Sequence, residues 1–198
     1  MAAMDDCVAL ALCRHGLTEA NKKQAYLGWT DSPLCHQPSP LVTTYEGFFT
    51  SDLGRCITTL QAFVPEVKPI QLSELREMHF GDFEGCTYED LKDLEEYNQW
   101  LNHYKEATTP NGESFQQFVK RVDRGWDKMI SEVKHNHWKR SFVVTHAGVI
   151  RHLLARFAPD ERAYWDWNVS HDFYYELLFS KKAFEKGERA FSLKKVSI

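Results

Sequence analysis

Apolar residues fall into two kinds of block along this chain. Val8-Ala9-Leu10-Ala11-Leu12, Phe48-Phe49-Thr50 and Ser141-Phe142-Val143-Val144-Thr145 are short, nearly continuous runs, the pattern of strands buried on both faces. Elsewhere the spacing is helical: Cys56, Ile57, Leu60 and Phe63, then Phe115, Phe118, Val122, Trp126, Met129, Ile130 and Val133, then Val149, Ile150, Leu153, Leu154 and Phe157. Leu91, Leu94, Tyr97 and Leu101 predict one face of a further helix capped by Thr87, and Ser114 with Gln117 forms a capping-box pattern. Leu17 to Gln24 reads as a helix start, and Ser39-Pro40 predicts a short helix ended by Gly47. Ile70 to Leu75 alternates like a strand. Phe173 to Leu178 and Ala190 to Val196 predict a hairpin joined through Glu185-Lys186-Gly187-Glu188. Strand and helix alternate, which predicts an α/β fold in three layers, a mostly parallel sheet flanked by helices. A single domain over 1–198 is expected, with a helical cap insertion at about 87–134.

Composition narrows the function classes. The 198 residues are 43% hydrophobic and 14% aromatic, enough for a sizeable core, and carry a formal net charge of −4. No general attraction to nucleic acid or to an anionic membrane follows from that balance. No apolar stretch has the length of a membrane span, and Met1-Ala2-Ala3-Met4-Asp5-Asp6 leads into no cleavable hydrophobic segment. The five cysteines (Cys7, Cys13, Cys35, Cys56, Cys86) are odd in number without C-x-x-C spacing, so reduced thiols and a cytoplasmic location are expected. Alternation along the first strand makes Cys7 a small buried hydrophobe.

The chemistry gathers at strand ends. Val8 to Gly16 and Ser141 to Gly148 share one plan: apolar strand, histidine, glycine, helix. Parallel strands deliver His15 and His146 to the same edge of the sheet, where ligands of α/β folds bind. A third unit, Phe48 to Arg55, places an arginine just inside the following helix. Arg14, His15, Arg55 and His146 can then converge on one anion. A phosphate group suits them, since guanidinium forks grip its oxygens bidentately and helix N-termini add N–H donors. No cysteine has an arginine six positions on, which excludes a cysteine-nucleophile phosphate loop, and no G-x-x-x-x-G-K-S/T nucleotide loop occurs. His135 and His137 read as a solvated polar loop beside Trp138, without a third ligand at metal-site spacing.

These residues occur in a recognisable order. Arg14-His15-Gly16, Asn21, Ser51-Asp52-Leu53 with Arg55, Leu75-Arg76-Glu77-Met78-His79-Phe80-Gly81 with Glu84-Gly85, Pro110-Asn111-Gly112-Glu113-Ser114 and Thr145-His146-Ala147-Gly148 together resemble the histidine phosphatase superfamily. This is the branch that includes cofactor-dependent phosphoglycerate mutases, and the likeness is greatest to its small bacterial phosphatases, α-ribazole phosphatase among them. The resemblance implies a phosphoglycerate mutase-like fold and a metal-independent phosphatase, without cofactor, acting on a small-molecule phosphate ester such as α-ribazole phosphate. His15 would attack phosphorus and form a phosphohistidine, staying neutral because two arginines oppose its protonation. Glu77 would protonate the leaving alcohol and later activate water. Arg14, Arg55 and His146 would hold the phosphoryl oxygens, with Asn21 and the N–H groups near Ala147 and Gly148 completing the pocket.

Three alternatives stand beside this reading. Glu84 competes with Glu77 as proton donor, or else merely fixes the Gly81–Gly85 turn. A phosphoglycerate mutase would use the same pocket, although family mutases carry insertions this chain lacks. A non-catalytic module could read phosphorylated partners on the same fold. Trp29, His79 and Phe83 could line the substrate entrance or simply pack. The chain departs from the family between Leu34 and Ser51, where a long helix is replaced by a short segment with Pro38, Pro40 and the β-branched run Val42-Thr43-Thr44. Leu17 also stands where a polar residue is usual.

Overall fold

The computed structural model describes residues 7–41 and 43–198, so the acidic N-terminal stretch Met1–Asp6 and Val42 lie outside the described residues. The strands are β1 (Cys7–Arg14), β2 (Gly47–Thr50), β3 (Ile70–Gln71), β4 (Arg140–Thr145), β5 (Phe173–Ser180) and β6 (Ser192–Ser197). They form one sheet in the order β3-β2-β4-β1-β5-β6. β3, β2, β4 and β1 run parallel, and β5 is antiparallel to both β1 and β6. The helices are α1 (Glu19–Lys22), α2 (Gly54–Phe63), α3 (Tyr88–Leu91), α4 (Glu95–Asn102), α5 (Phe115–Asn136), α6 (Ala147–Phe157) and α7 (Lys181–Lys186).

The sheet is covered on both faces, which explains why its central strands read as unbroken apolar runs. Leu10, Leu12, Phe49, Val143, Leu177 and Phe179 point into the larger core with α5, α6 and α7. Trp126 of α5 stacks on Phe157 of α6 at 3.9 Å. On the other face Ala11, Cys13, Phe48, Phe142 and Val144 meet Cys56, Leu60 and Phe63 of α2. The segment 87–134 divides between two cores. α5 belongs to the large one, whereas α3 and α4 supply Leu91, Tyr97 and Trp100 to a separate cluster closed by Phe83 and Tyr26.

Several local expectations need correction. Ile70–Leu75 pairs as a strand only over Ile70–Gln71, and Ser73–Leu75 then turns as a 3-10 helix that buries Leu75. No helix forms at Ser39–Glu46 among the described residues. Pro38 and Pro40 leave an extended strap instead, tied down where Leu41 N–H donates to Phe63 O and the Tyr45 hydroxyl donates to Glu176 Oε2 at 2.6 Å. Arg140 pairs with Glu176 at 2.7 Å and lies over the Tyr45 ring. The helical face expected from Leu91 to Leu101 holds for Leu91 and Tyr97 but not for Leu94 and Leu101, because the chain breaks between α3 and α4. Leu94 and Leu101 are 46% and 40% exposed, and Trp100 takes the buried place. The C-terminal strands do pair antiparallel, but α7 joins them and ends at Gly187 in the left-handed conformation (φ 65°). His135 is in the last turn of α5 rather than in a loop, and His137 is its left-handed cap. Cys7 is half-buried, while Cys13 and Cys56 are fully buried; all five thiols are free.

Candidate active site

β1 and β4 pair in parallel with Arg14 opposite Thr145, so the residues that follow, His15 and His146, are equivalent positions one step past the last pair. His15 N–H continues the ladder to Thr145 O at 2.9 Å. The two imidazoles meet edge to face with centroids 5.2 Å apart, and both are almost fully buried.

The His15 tautomer follows from its partner. Nδ1 is 2.8 Å from the Gly16 carbonyl, which can only accept, so Nδ1 carries the hydrogen and Nε2 keeps its lone pair. Burial, then Arg55, then Arg14 hold the ring well below the usual histidine range. Burial therefore outweighs the two arginines as the reason for neutrality. His146 is neutral for the same reasons, burial first and then Arg55. Arg55 Nη2 donates to its Nδ1 at 3.2 Å, so its Nε2–H donates to Ser51 Oγ at 3.0 Å.

Both guanidiniums are under-compensated. Arg55 has a fully buried side chain, yet it donates mainly to carbonyls, Gly28 O at 2.6 Å and Thr30 O at 3.0 Å, with Asp31 Oδ1 at 3.3 Å. Asp31 is 43% exposed and compensates little. Arg14 reaches Val169 O at 3.2 Å, and burial, partly offset by Glu77, pushes its pKa down to about 10. Neither Nε has a partner. Removing a cation from water costs several kcal/mol, about 3 or more, when its pairing is incomplete. An incoming dianion would recover that cost, which is the electrostatic definition of a phosphate trap.

The two candidate carboxylates separate clearly. Glu77 accepts from Met78 N–H through Oε1 and from Gly148 N–H through Oε2, each at 2.9 Å. Gly148 is required there, since a Cβ would stand 2.2 Å from Glu77 Oε1. Glu77 is thus fastened to the first turn of α6, two residues beyond His146. Glu84 instead accepts from Trp29, Thr30 and Phe80 N–H groups at 2.8, 2.6 and 3.1 Å. Burial opposes its charge, but these donors and the Thr30 side chain outweigh it and hold the carboxyl below the usual range. Glu84 therefore shapes the loop whose Gly28 and Thr30 carbonyls grip Arg55. Glu84→Gln puts an amide NH2 against backbone donors and is expected to cost about 1–3 kcal/mol, read as a lowered Tm. Its activity loss should be similar for all esters, whatever their leaving group.

The other expected site residues make the following contacts. The Asn21 side chain accepts from Thr18 N–H at 3.4 Å, completing the capping box of α1. The Gly148 N–H is committed to Glu77, which leaves Ala147, at the first position of α6, with one of the free N–H groups of a helix start. Phe83 packs in the aromatic cluster, while Trp29 and His79 touch at 4.8 Å on the outer side of the Glu77 loop. Asp52 and Arg76 form a bidentate pair at 2.7 and 2.6 Å, and Arg76 lies over Trp29.

Two residues escaped the sequence reading. Arg121 donates to the carbonyls of Glu74, Arg76 and Glu77 and is clamped by Glu113, so it holds the backbone under the Glu77 side chain. His171 lies with its ring centroid 5.7 Å from that of His15. Burial, then Arg14, push its pKa down to about 4. Beside Glu77 opens a cavity of about 560 Å³ walled by Tyr26, Phe80, Trp100, Tyr104, Phe115 and Tyr164.

Comparison with known proteins bears on the family and the fold. Residues 41–186 match the family described as Histidine phosphatase superfamily (branch 1); Arg14-His15-Gly16 precede that span. An adenosylcobalamin/alpha-ribazole phosphatase of Escherichia coli is 36% identical over 175 residues, covering 81% of this chain and 84% of that protein. A 2,3-bisphosphoglycerate-dependent phosphoglycerate mutase of Buchnera aphidicola is 28% identical over 207 residues, covering 81% and 88%. The crystal structure of the alpha-ribazole phosphatase from Shigella flexneri superposes with a TM-score of 0.81 at 26% identity, over 96% of each chain. With the family matched across most of its length and the fold matched nearly throughout, this chain belongs to the histidine phosphatase superfamily.

Proposed function

We propose that this phosphatase hydrolyses a small phosphate monoester, without a metal ion, through a phosphohistidine on His15. The observation that carries the reading is the His15 ring. Its Nδ1–H is held by Gly16 O, its Nε2 lone pair is free, and two guanidiniums, Arg55 buried and Arg14 half-buried, lie beside it with unpartnered Nε atoms. In the first step Nε2 forms a bond to phosphorus as the ester P–O bond breaks, and Glu77 gives its proton to the departing alkoxide. In the second, Glu77 takes a proton from water as the water oxygen attacks phosphorus. The P–N bond then breaks, releasing inorganic phosphate and restoring neutral His15. Arg14 and Arg55 stabilise the charge that spreads over the equatorial oxygens. His146, tied to Arg55 and Ser51, keeps the second guanidinium in place.

The cavity beside Glu77 supplies the seat for the alcohol. Its aromatic walls suit a planar ring, and Glu77 at its edge can reach the ester oxygen. Relatives named for alpha-ribazole phosphate carry the same fold, and that ester's aromatic base matches such walls. The test is turnover in EDTA with α-ribazole phosphate and, separately, with 3-phosphoglycerate. Release of inorganic phosphate, faster from the aromatic ester, is expected. Formation of 2-phosphoglycerate without phosphate release, or no turnover by folded protein at pH 5–8, would overturn the proposal in favour of a mutase or a binding module.

A further inference from the structure

The nucleophile's main chain is held on two sides by different means. On the β4 side the sheet itself does so, through His15 N–H to Thr145 O. On the β5 side the ladder ends at Leu12 opposite Tyr175, three residues short of His15. There a side chain reaches the nucleophile, with His171 Nδ1 only 2.7 Å from the His15 carbonyl oxygen. A carbonyl accepts, so Nδ1 donates. The His171 ring packs edge to face on His15 at 62°, and His146 packs on it at 60°. His171 precedes β5 by only two residues, so its own position is set by the sheet.

We infer that His171 is a positioning residue of the phosphoryl-transfer step, its Nδ1–H holding the His15 carbonyl and fixing the direction in which His15 presents Nε2. This rests on the phosphohistidine reading of His15. His171 hydrogen-bonds to the attacking residue and stays neutral beside Arg14, so its loss disturbs the rate of transfer and spares the binding of the anion. An error in placement of about an ångström is enough to lose roughly a hundredfold in rate.

The geometry makes an atom-by-atom test available. Asparagine Nδ2 can occupy the place of His171 Nδ1, whereas glutamine Nε2 sits one bond further out and phenylalanine keeps the ring without a donor. With p-nitrophenyl phosphate, H171N should keep kcat within roughly threefold of the parent, while H171Q and H171F lose about ten- to a hundredfold. KM and the inhibition constant for inorganic phosphate should stay within about threefold in all three, and rapid-quench trapping should place the loss in phosphoenzyme formation. Parent-like kcat in H171Q, or equal loss in H171N and H171Q, overturns the inference. So does a phosphate inhibition constant that worsens in step with kcat. The asparagine and glutamine pair decides the matter if the phenylalanine variant does not fold. H15A in the same assay separates the two levels. Its retained turnover would refute the phosphohistidine, whereas a dead H15A beside unaffected His171 variants refutes the positioning role alone.

Discussion

His15→Ala should abolish turnover, with kcat falling by roughly ten-thousandfold or more, while the protein stays folded. The imidazole makes one hydrogen bond, to the carbonyl of the next residue, and none to a distant element. Its removal leaves no buried charge unpaired, and the site it vacates lies between two other rings and two cations rather than in the apolar core. The stability cost is therefore that of a small cavity, about 1–3 kcal/mol, readable as a drop of several degrees in Tm. Arg14 and Arg55 keep their carbonyl partners in the variant, so inorganic phosphate should still bind. Phosphate release from an ester, binding of inorganic phosphate and thermal unfolding together measure the three claims. Turnover within tenfold of the parent, about 1.4 kcal/mol in the barrier, would show that another group attacks phosphorus.

Glu77→Gln should sort substrates by leaving group. A general acid contributes roughly a hundred- to ten-thousandfold when the departing alkoxide is basic, and little when it is a good leaving group. In the phosphoenzyme-forming step, read by rapid quench, alkyl and nucleoside phosphates should therefore slow by about a thousandfold and p-nitrophenyl phosphate by less than about tenfold, since the water-activating role of Glu77 belongs to the later step shared by all esters. The comparison within one variant matters because the substitution also disturbs the site. Both carboxylate oxygens accept from backbone N–H groups, of Met78 and Gly148, and the glutamine amide can accept through only one. That local damage falls equally on every ester, so it cancels in the ratio. Equal losses on both ester classes would mean the proton comes from elsewhere, whether Glu84 or water.

The alignment of the two histidines was legible because it depends on chain-local patterns. Apolar runs ending in His-Gly and followed by helical spacing specify parallel strand ends, and β1 and β4 do lie side by side. The resemblance added Glu77, whose distance in sequence from His146 hides the Gly148 contact. What was not legible had no local signal. His171 reaches His15 only because β5 pairs with β1, a property of strands far apart in the chain. Arg121 is one cation among many on a polar helix face until the Glu74–Glu77 backbone is brought beneath it. The helix expected after Ser39-Pro40 failed because a strap with two prolines can meet its needs through Tyr45 and Phe63, whose partners lie outside the window that periodicity sees. Leu94 and Leu101 were misplaced because a break of three residues between α3 and α4 resets the phase of the helical face.

The pairing of Arg14 with Thr145 also governs how such a protein can diverge. Side-chain direction along a strand has a period of two, so one residue gained or lost within 7–15 or 140–146 would turn an imidazole to the opposite face of the sheet. Residues added to the connection at 159–166, which carries Tyr164 of the cavity wall, move neither ring, since surface connections absorb length changes. Lineages can therefore rebuild the walls around the alcohol while the two histidines stay matched, so substrate choice and phosphoryl chemistry evolve at separable addresses in the chain.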